Sequence, residues 1–110
     1  LSSLDHSIFL GRYLGDNHSV LVLDQSMSIL VINGKYREGA ARVYDYDGYR
    51  LLDFLQIQSN GLVGERLLFI ISIDQSENGS INRLILRPAE IGPEGARIEY
   101  RTPYIFIKTS

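Results

Sequence analysis

The stretch "LLFIISIDQSENGSINRLILR", residues 67–87, admits two incompatible readings, and the choice between them sets the fold. Its centre resembles the start of a calcium loop. Asp74, Ser76 and Asn78 stand at alternate positions, Gly79 occupies the sixth and Ser80 offers a carbonyl at the seventh. A working EF-hand also needs a bidentate carboxylate at position twelve and a helix on either side. Position twelve is Ile85, inside the alternating strand "INRLILR", and the preceding flank "LLFIISI" is β-branched and apolar. Both requirements fail. Asp and Asn bond their own backbone in turns, and glycine supplies positive φ, so the stretch reads as strand, hairpin turn, strand.

The same reading extends outward in both directions. Toward the N-terminus, "SIFLGRYLG", "SVLVL", "MSILVIN", "AARVYDY" and "YRLLDFLQIQ" are short β-rich runs. They are separated by "DNH", "DQS", "NGK" and the Asp47-Gly48 pair, a dipeptide suited to a tight hairpin. Toward the C-terminus come "ARIEYR" and "TPYIFIK". In the last, Tyr104, Phe106 and Lys108 alternate with Ile105 and Ile107, which puts apolar groups on both faces. "SVLVL", "SILVI" and "LLFIISI" are likewise apolar on both faces and predict strands covered on two sides. "YRLLDFLQIQ" also carries a helical Leu51, Leu52, Leu55 stripe; as a strand it sets Tyr49, Leu51, Asp53, Leu55 and Ile57 on one face. The echo between "VLVLDQS" and "IISIDQS" is read as two similar turns rather than a duplication.

Eight or nine sequential strands with short connections predict an all-β, antiparallel up-and-down meander occupying residues 1–110 as a single domain. Such a meander tends to close into a barrel because closure removes exposed edges; a two-sheet sandwich is the alternative.

The bulk numbers narrow the function classes. A net charge of −2 without a basic block argues against nucleic acid as a partner. The absence of cysteine excludes disulfides, thiolate catalysis and Cys-ligated zinc. No apolar run is long enough to span a bilayer as a helix. His6 and His18 lie apart with no metal-ligand spacing, "DNHS" at 16–19 is a turn rather than a triad, and Asp45 with Asp47 has no partner across a cleft. No metal or cofactor is expected. The first residue, Leu1, and sequons at Asn17 and Asn78 raise a secreted or periplasmic compartment, with the cytoplasm as the alternative; a domain cut from a longer chain would also begin this way.

On "FLGRYLGDNHSVLVLD", with Leu10, Gly11, Tyr13 and Gly15, and on "LLFIISIDQSENGSINRLIL", the chain resembles small bacterial lipocalin-like domains. These include the ones appended to serine β-lactamase-related peptidases and esterases. The resemblance implies a barrel without catalytic residues of its own, acting as a ligand pocket or as an accessory to a neighbouring domain.

Seven tyrosines and four phenylalanines spread over the strands fit a pocket lining or an interface. The leading expectation is therefore a non-enzymatic binding module for a small apolar molecule, with Tyr13, Tyr36, Tyr44, Tyr46 and Phe54 as the ligand-binding set. The alternative is an interaction or structural subunit that docks on a partner protein, or forms a homo-oligomer, through strand edges and Arg/Tyr surfaces. A third reading, a small barrel isomerase or cyclase, would use Asp53 as a pocket acid.

Overall fold

The structure, a computed structural model, describes residues 2–3 and 6–109. Leu1 and the His6 side chain lie outside what it describes. Ten strands follow in chain order: β1 (Ser2–Ser3), β2 (Gly11–Gly15), β3 (Val20–Leu23), β4 (Ser28–Ile32), β5 (Lys35–Tyr46), β6 (Tyr49–Ile57), β7 (Val63–Gln75), β8 (Ile81–Gly92), β9 (Gly95–Ile98) and β10 (Tyr104–Lys108). Every pairing is antiparallel.

β2 to β8 form a meander, and β10 pairs with both β8 and β2, so eight strands close into a barrel. Closure rules out the two-sheet sandwich. One turn of 3-10 helix, His6–Phe9, precedes β2, so the expected opening strand "SIFLGRYLG" is divided. The division falls at Gly11, whose φ of 142° lies outside the range most side chains adopt.

The turns form where the sequence placed them. Asn33-Gly34 and Asp47-Gly48 both take positive φ at each position, the twist that matches a two-residue hairpin. Asn17 and His18 do the same, making "DNHS" a hairpin tip. In the 74–82 stretch, Gly79 N–H donates to the Ser76 carbonyl at 2.9 Å, and the Asn78 side-chain oxygen accepts from Ser80 N–H at 3.0 Å. Asp74 is paired with Arg83 on the adjoining strand. The oxygens that suggested calcium are engaged in a turn, and among the described residues no cluster of three or more His, Cys, Asp or Glu could hold a metal.

The interior is filled by side chains from alternate positions, among them Phe9, Tyr13, Leu30, Phe54, Leu84 and Phe106. An eight-stranded barrel is either filled in this way or left with space for one small ligand. The two ends differ. At the end where β5 begins, Glu65 bridges Lys35 at 2.5 Å and Arg37 at 3.3 Å. At the other end sit the 3-10 turn and the β3–β4 turn.

A second, smaller apolar cluster lies on the outer wall, built on Tyr44, Leu51, Ile70 and Ala89. These belong to the outward set, since Val43, Leu52 and Phe69 on the same strands face inward. β8 is in register with β7 only up to Pro88; beyond it the strand pairs with β9 as a separate hairpin. Proline cannot donate to a ladder, which suits it to that departure. The hairpin is fastened near its tip by Ala96 N–H, which donates to Asp47 Oδ2 at 3.1 Å.

Candidate functional site

Five inward positions around the 3-10 end do not fill the space between them. The result is a cavity of about 420 Å³ whose walls include Phe9, Leu23, Ala41, Val43 and Leu52. Its size is within the range of small-molecule pockets, which run roughly 300–1,000 Å³. The void has a simple origin in β5. Ala41 is an inward position that carries one methyl group, and it lines the cavity together with Leu23, Val43 and Leu52. A short side chain there leaves space that the facing strands do not reclaim.

The polar part of the wall comes from Ser7, Asp24, Gln25 and Ser28. Asp24 and Gln25 are exposed, so the cavity opens beside the β3–β4 turn. That turn is held internally. Ser28 Oγ accepts from Asp24 N–H at 3.1 Å, while Asp24 Oδ2 accepts from Ser26 Oγ at 2.7 Å and from Ser26 N–H at 3.2 Å. The Ser26 hydroxyl and then its amide hold the Asp24 carboxyl below the usual carboxylate range. The rim therefore carries a negative charge at neutral pH, and among the described residues no cationic side chain lines the cavity.

The 3-10 turn supplies Ser7, Phe9 and Leu10, and one buried bond ties it down. Tyr13 Oη donates to the Phe9 carbonyl at 2.8 Å, inside the barrel and fully out of solvent. Burial pushes the Tyr13 phenol up to about 12, so it stays a donor throughout the neutral range. The Arg50 guanidinium lies 5.8 Å from the centre of the Phe9 ring. Its Nε is buried without a hydrogen-bond acceptor among the described residues.

The five aromatic residues expected to bind ligand are not brought together. Tyr13 and Phe54 are both in the packed interior, and Tyr13 reaches the cavity only through its hold on Phe9. Tyr44 and Tyr46 are on the outer wall in the second cluster, with the Arg42 guanidinium 4.8 Å above the Tyr44 ring. Tyr36 is exposed on the outer wall, where its hydroxyl donates to Glu38 at 2.7 Å. None of the five lines the cavity. The described residues that do are mostly aliphatic or polar, with Phe9 the one aromatic among them. The signal in the sequence is the short inward Ala41, which becomes meaningful only once the barrel is known to be closed.

Asp53 occupies neither a strand end nor a cavity. It is buried on the outer wall in the middle of β6, between Arg66, whose Nε is 2.9 Å from Oδ1, and Arg42, whose Nη2 is 3.2 Å from Oδ2. Burial works to raise its pKa, but Arg66 and then Arg42 outweigh it and leave the carboxyl below its ordinary value. A pocket acid at neutral pH needs the opposite shift.

Other hollows, such as the one beside Tyr36 and Gln58 and the one beside His18, are lined mostly by surface side chains rather than by the barrel core. Among the described residues no helix is long and apolar enough to cross a membrane. Comparison of the chain with family models, curated proteins and solved structures returned no match.

Proposed function

We propose that the protein is a binding module whose barrel mouth takes a small, mostly apolar molecule with one hydrogen-bonding group. The observation that carries this reading is the 420 Å³ cavity, apolar on its walls and polar at its opening. Its form follows the general rule for ligand sites, in which apolar surface supplies affinity and a few polar groups set orientation. Asp24 and Gln25 at the opening favour a neutral or cationic head over an anionic one. The lipocalin-like motifs support the same reading and extend it to an accessory role beside another domain.

A ligand of roughly 15–20 non-hydrogen atoms, at about 0.3 kcal/mol per atom, would bind with about 5–6 kcal/mol. That corresponds to a Kd of tens to hundreds of micromolar. The test is a fluorescence titration with the neutral probe N-phenyl-1-naphthylamine, run on the native protein and on Ala41→Leu. Leucine at this inward position fills the void with aliphatic groups and adds no charge. Saturable binding by the native protein that weakens at least tenfold in a folded Ala41→Leu variant is expected. No binding by the native protein, or equal binding by both, would overturn the proposal.

A further inference from the structure

The outer wall of the barrel is treated differently on its two sides. On the β6–β7–β8 side, the outward positions are occupied by the Arg42–Asp53–Arg66 ion pairs and by the buried cluster around Leu51. On the β10–β2–β3–β4 side, they are aliphatic apart from Arg12. Register places Ile107, Leu14, Val20 and Val31 side by side on four adjacent strands, ending at Tyr36 on β5. A second row runs Arg12, Val22, Ile29, Glu38, and a third joins Ile85 to Ile105. All are outward, because Tyr13, Leu21, Leu30 and Phe106 on the same strands fill the interior. Leu14 and Ile105 are each 42% exposed and Ile107 is 57% exposed; Val20, Val22, Ile29 and Val31 are half-buried only by their neighbours.

We propose that this band is a two-fold interface with a second copy of the chain. The charge pattern selects that occupant. The second row has a cation at the β2 end, an anion at the β5 end and two aliphatic residues between them. Among the described residues Arg12 has no ion pair, and Glu38 accepts only the Tyr36 hydroxyl. A two-fold axis parallel to the strands, passing between β3 and β4, exchanges the two ends of each row. It sets Arg12 of one copy against Glu38 of the other, twice, with Val22 on Ile29, Val20 on Val31 and Leu14 on Tyr36. The face is self-complementary, as an isologous contact requires.

Four strands span about 14 Å, and adding β10 and β8 extends the band to roughly 24 Å. The wall is convex, so the contact is smaller than the standard of about 800 Å² per partner, and a dimer of roughly micromolar to hundred-micromolar Kd is expected. The cavity opens at the end of the barrel, so the interface and the proposed ligand site are independent.

Sedimentation velocity from low to high micromolar concentration tests the inference. The native protein should shift from monomer to dimer across this range. Val31→Glu places a charge beside the axis and should leave a monomer at every concentration, with its β-sheet circular dichroism retained. Arg12→Glu sets like charges against each other and should weaken the dimer about tenfold or more, whereas Arg12→Glu combined with Glu38→Arg should restore it. A native protein that stays monomeric throughout overturns the proposal. So does a dimer indifferent to both Val31→Glu and the charge reversal.

Discussion

Replacing Tyr13 by phenylalanine removes one oxygen from the molecule and tests how the cavity wall is held. The hydroxyl donates to the Phe9 carbonyl at 2.8 Å in a site where both side chains are almost wholly buried. Phenylalanine keeps the ring packing and leaves that carbonyl without its donor. An unsatisfied buried acceptor costs about 1–3 kcal/mol, and relief of the buried hydroxyl offsets part of it, so a net loss of about 1–2 kcal/mol is expected. With a urea m-value of about 1–2 kcal/mol/M, the midpoint should fall by about 1 M while the slope stays constant. Alkaline pH gives a second, independent reading. The folded phenol is raised to about 12 from an unfolded value near 10, so its contribution is complete below pH 10 and is lost as pH rises to about 12. Two units correspond to about 2–3 kcal/mol, and the Tyr13→Phe variant should lack that part of the native protein's alkaline destabilisation. Urea titrations at pH 7 and across pH 9–11.5 measure both effects. A midpoint unchanged at pH 7 would refute the view that this bond fixes the 3-10 turn, and an identical alkaline slope in the two proteins would refute burial of the phenol as the source of that slope.

Three further outcomes follow from the outer wall and the strand crossings. Asp53→Asn should cost about 1–2 kcal/mol at pH 7, less than a fully buried charge pair because both arginine side chains are more than half exposed. Since the Asp53 pKa is lowered, its contribution is present above the unfolded value near 4 and is lost as pH falls through the folded one; thermal melts from pH 7 to pH 2.5 should show the gap between the two proteins closing, and a constant gap would contradict the ion-pair account. Gly39→Ala should lose about 3 kcal/mol or more, because a Cβ there would meet the Leu55 carbonyl on β6, and an unchanged melting temperature would show that the strands can separate locally at no cost. Asp47→Ala frees the tip of the β8–β9 hairpin, and amide exchange at Ala96 should quicken about tenfold while exchange in the β2–β4 ladder does not change.

How much of this was readable in advance depends on how local the cause is. The hairpins at Asn33-Gly34, Asp47-Gly48 and Ser76–Gly79 are specified by residues that tolerate or require positive φ, so a few letters suffice. The alternation in Tyr104–Lys108 is likewise local, and Phe106 is inside as Ile105 and Ile107 face out. "YRLLDFLQIQ" becomes a strand because it pairs on both sides, with Leu52 and Phe54 inward and Leu51 and Asp53 outward. Periodicity separates two faces but does not say which lies inside, nor what covers the other. Doubly apolar strands were read as covered on both sides. The β6–β7 pair is, but β3 and β4 have an outer face that nothing described in this chain covers. The 3-10 turn is not legible because "SIF" has strand-like composition and the break arises from backbone geometry at Gly11. The cavity is hidden for a different reason: its void forms at a short inward residue, and Ala41 gains meaning only from strands remote in sequence.

The seam between β2 and β10 has a mechanical consequence. It joins residues separated by 97 positions, as in the Thr109 hydroxyl donating to the Arg12 carbonyl, whereas the meander's other ladders join strands adjacent in sequence. β2 begins and β10 ends at the same end of the barrel, beside the 3-10 turn. A force drawn through those two ends would not shear the ladder, with all its bonds sharing the load. It would peel the two strands apart one bond at a time, starting at Arg12 and Thr109. The barrel should thus yield at low force when pulled from its ends and resist far better when pulled across β5 and β6, whose long ladder would be loaded from its sides.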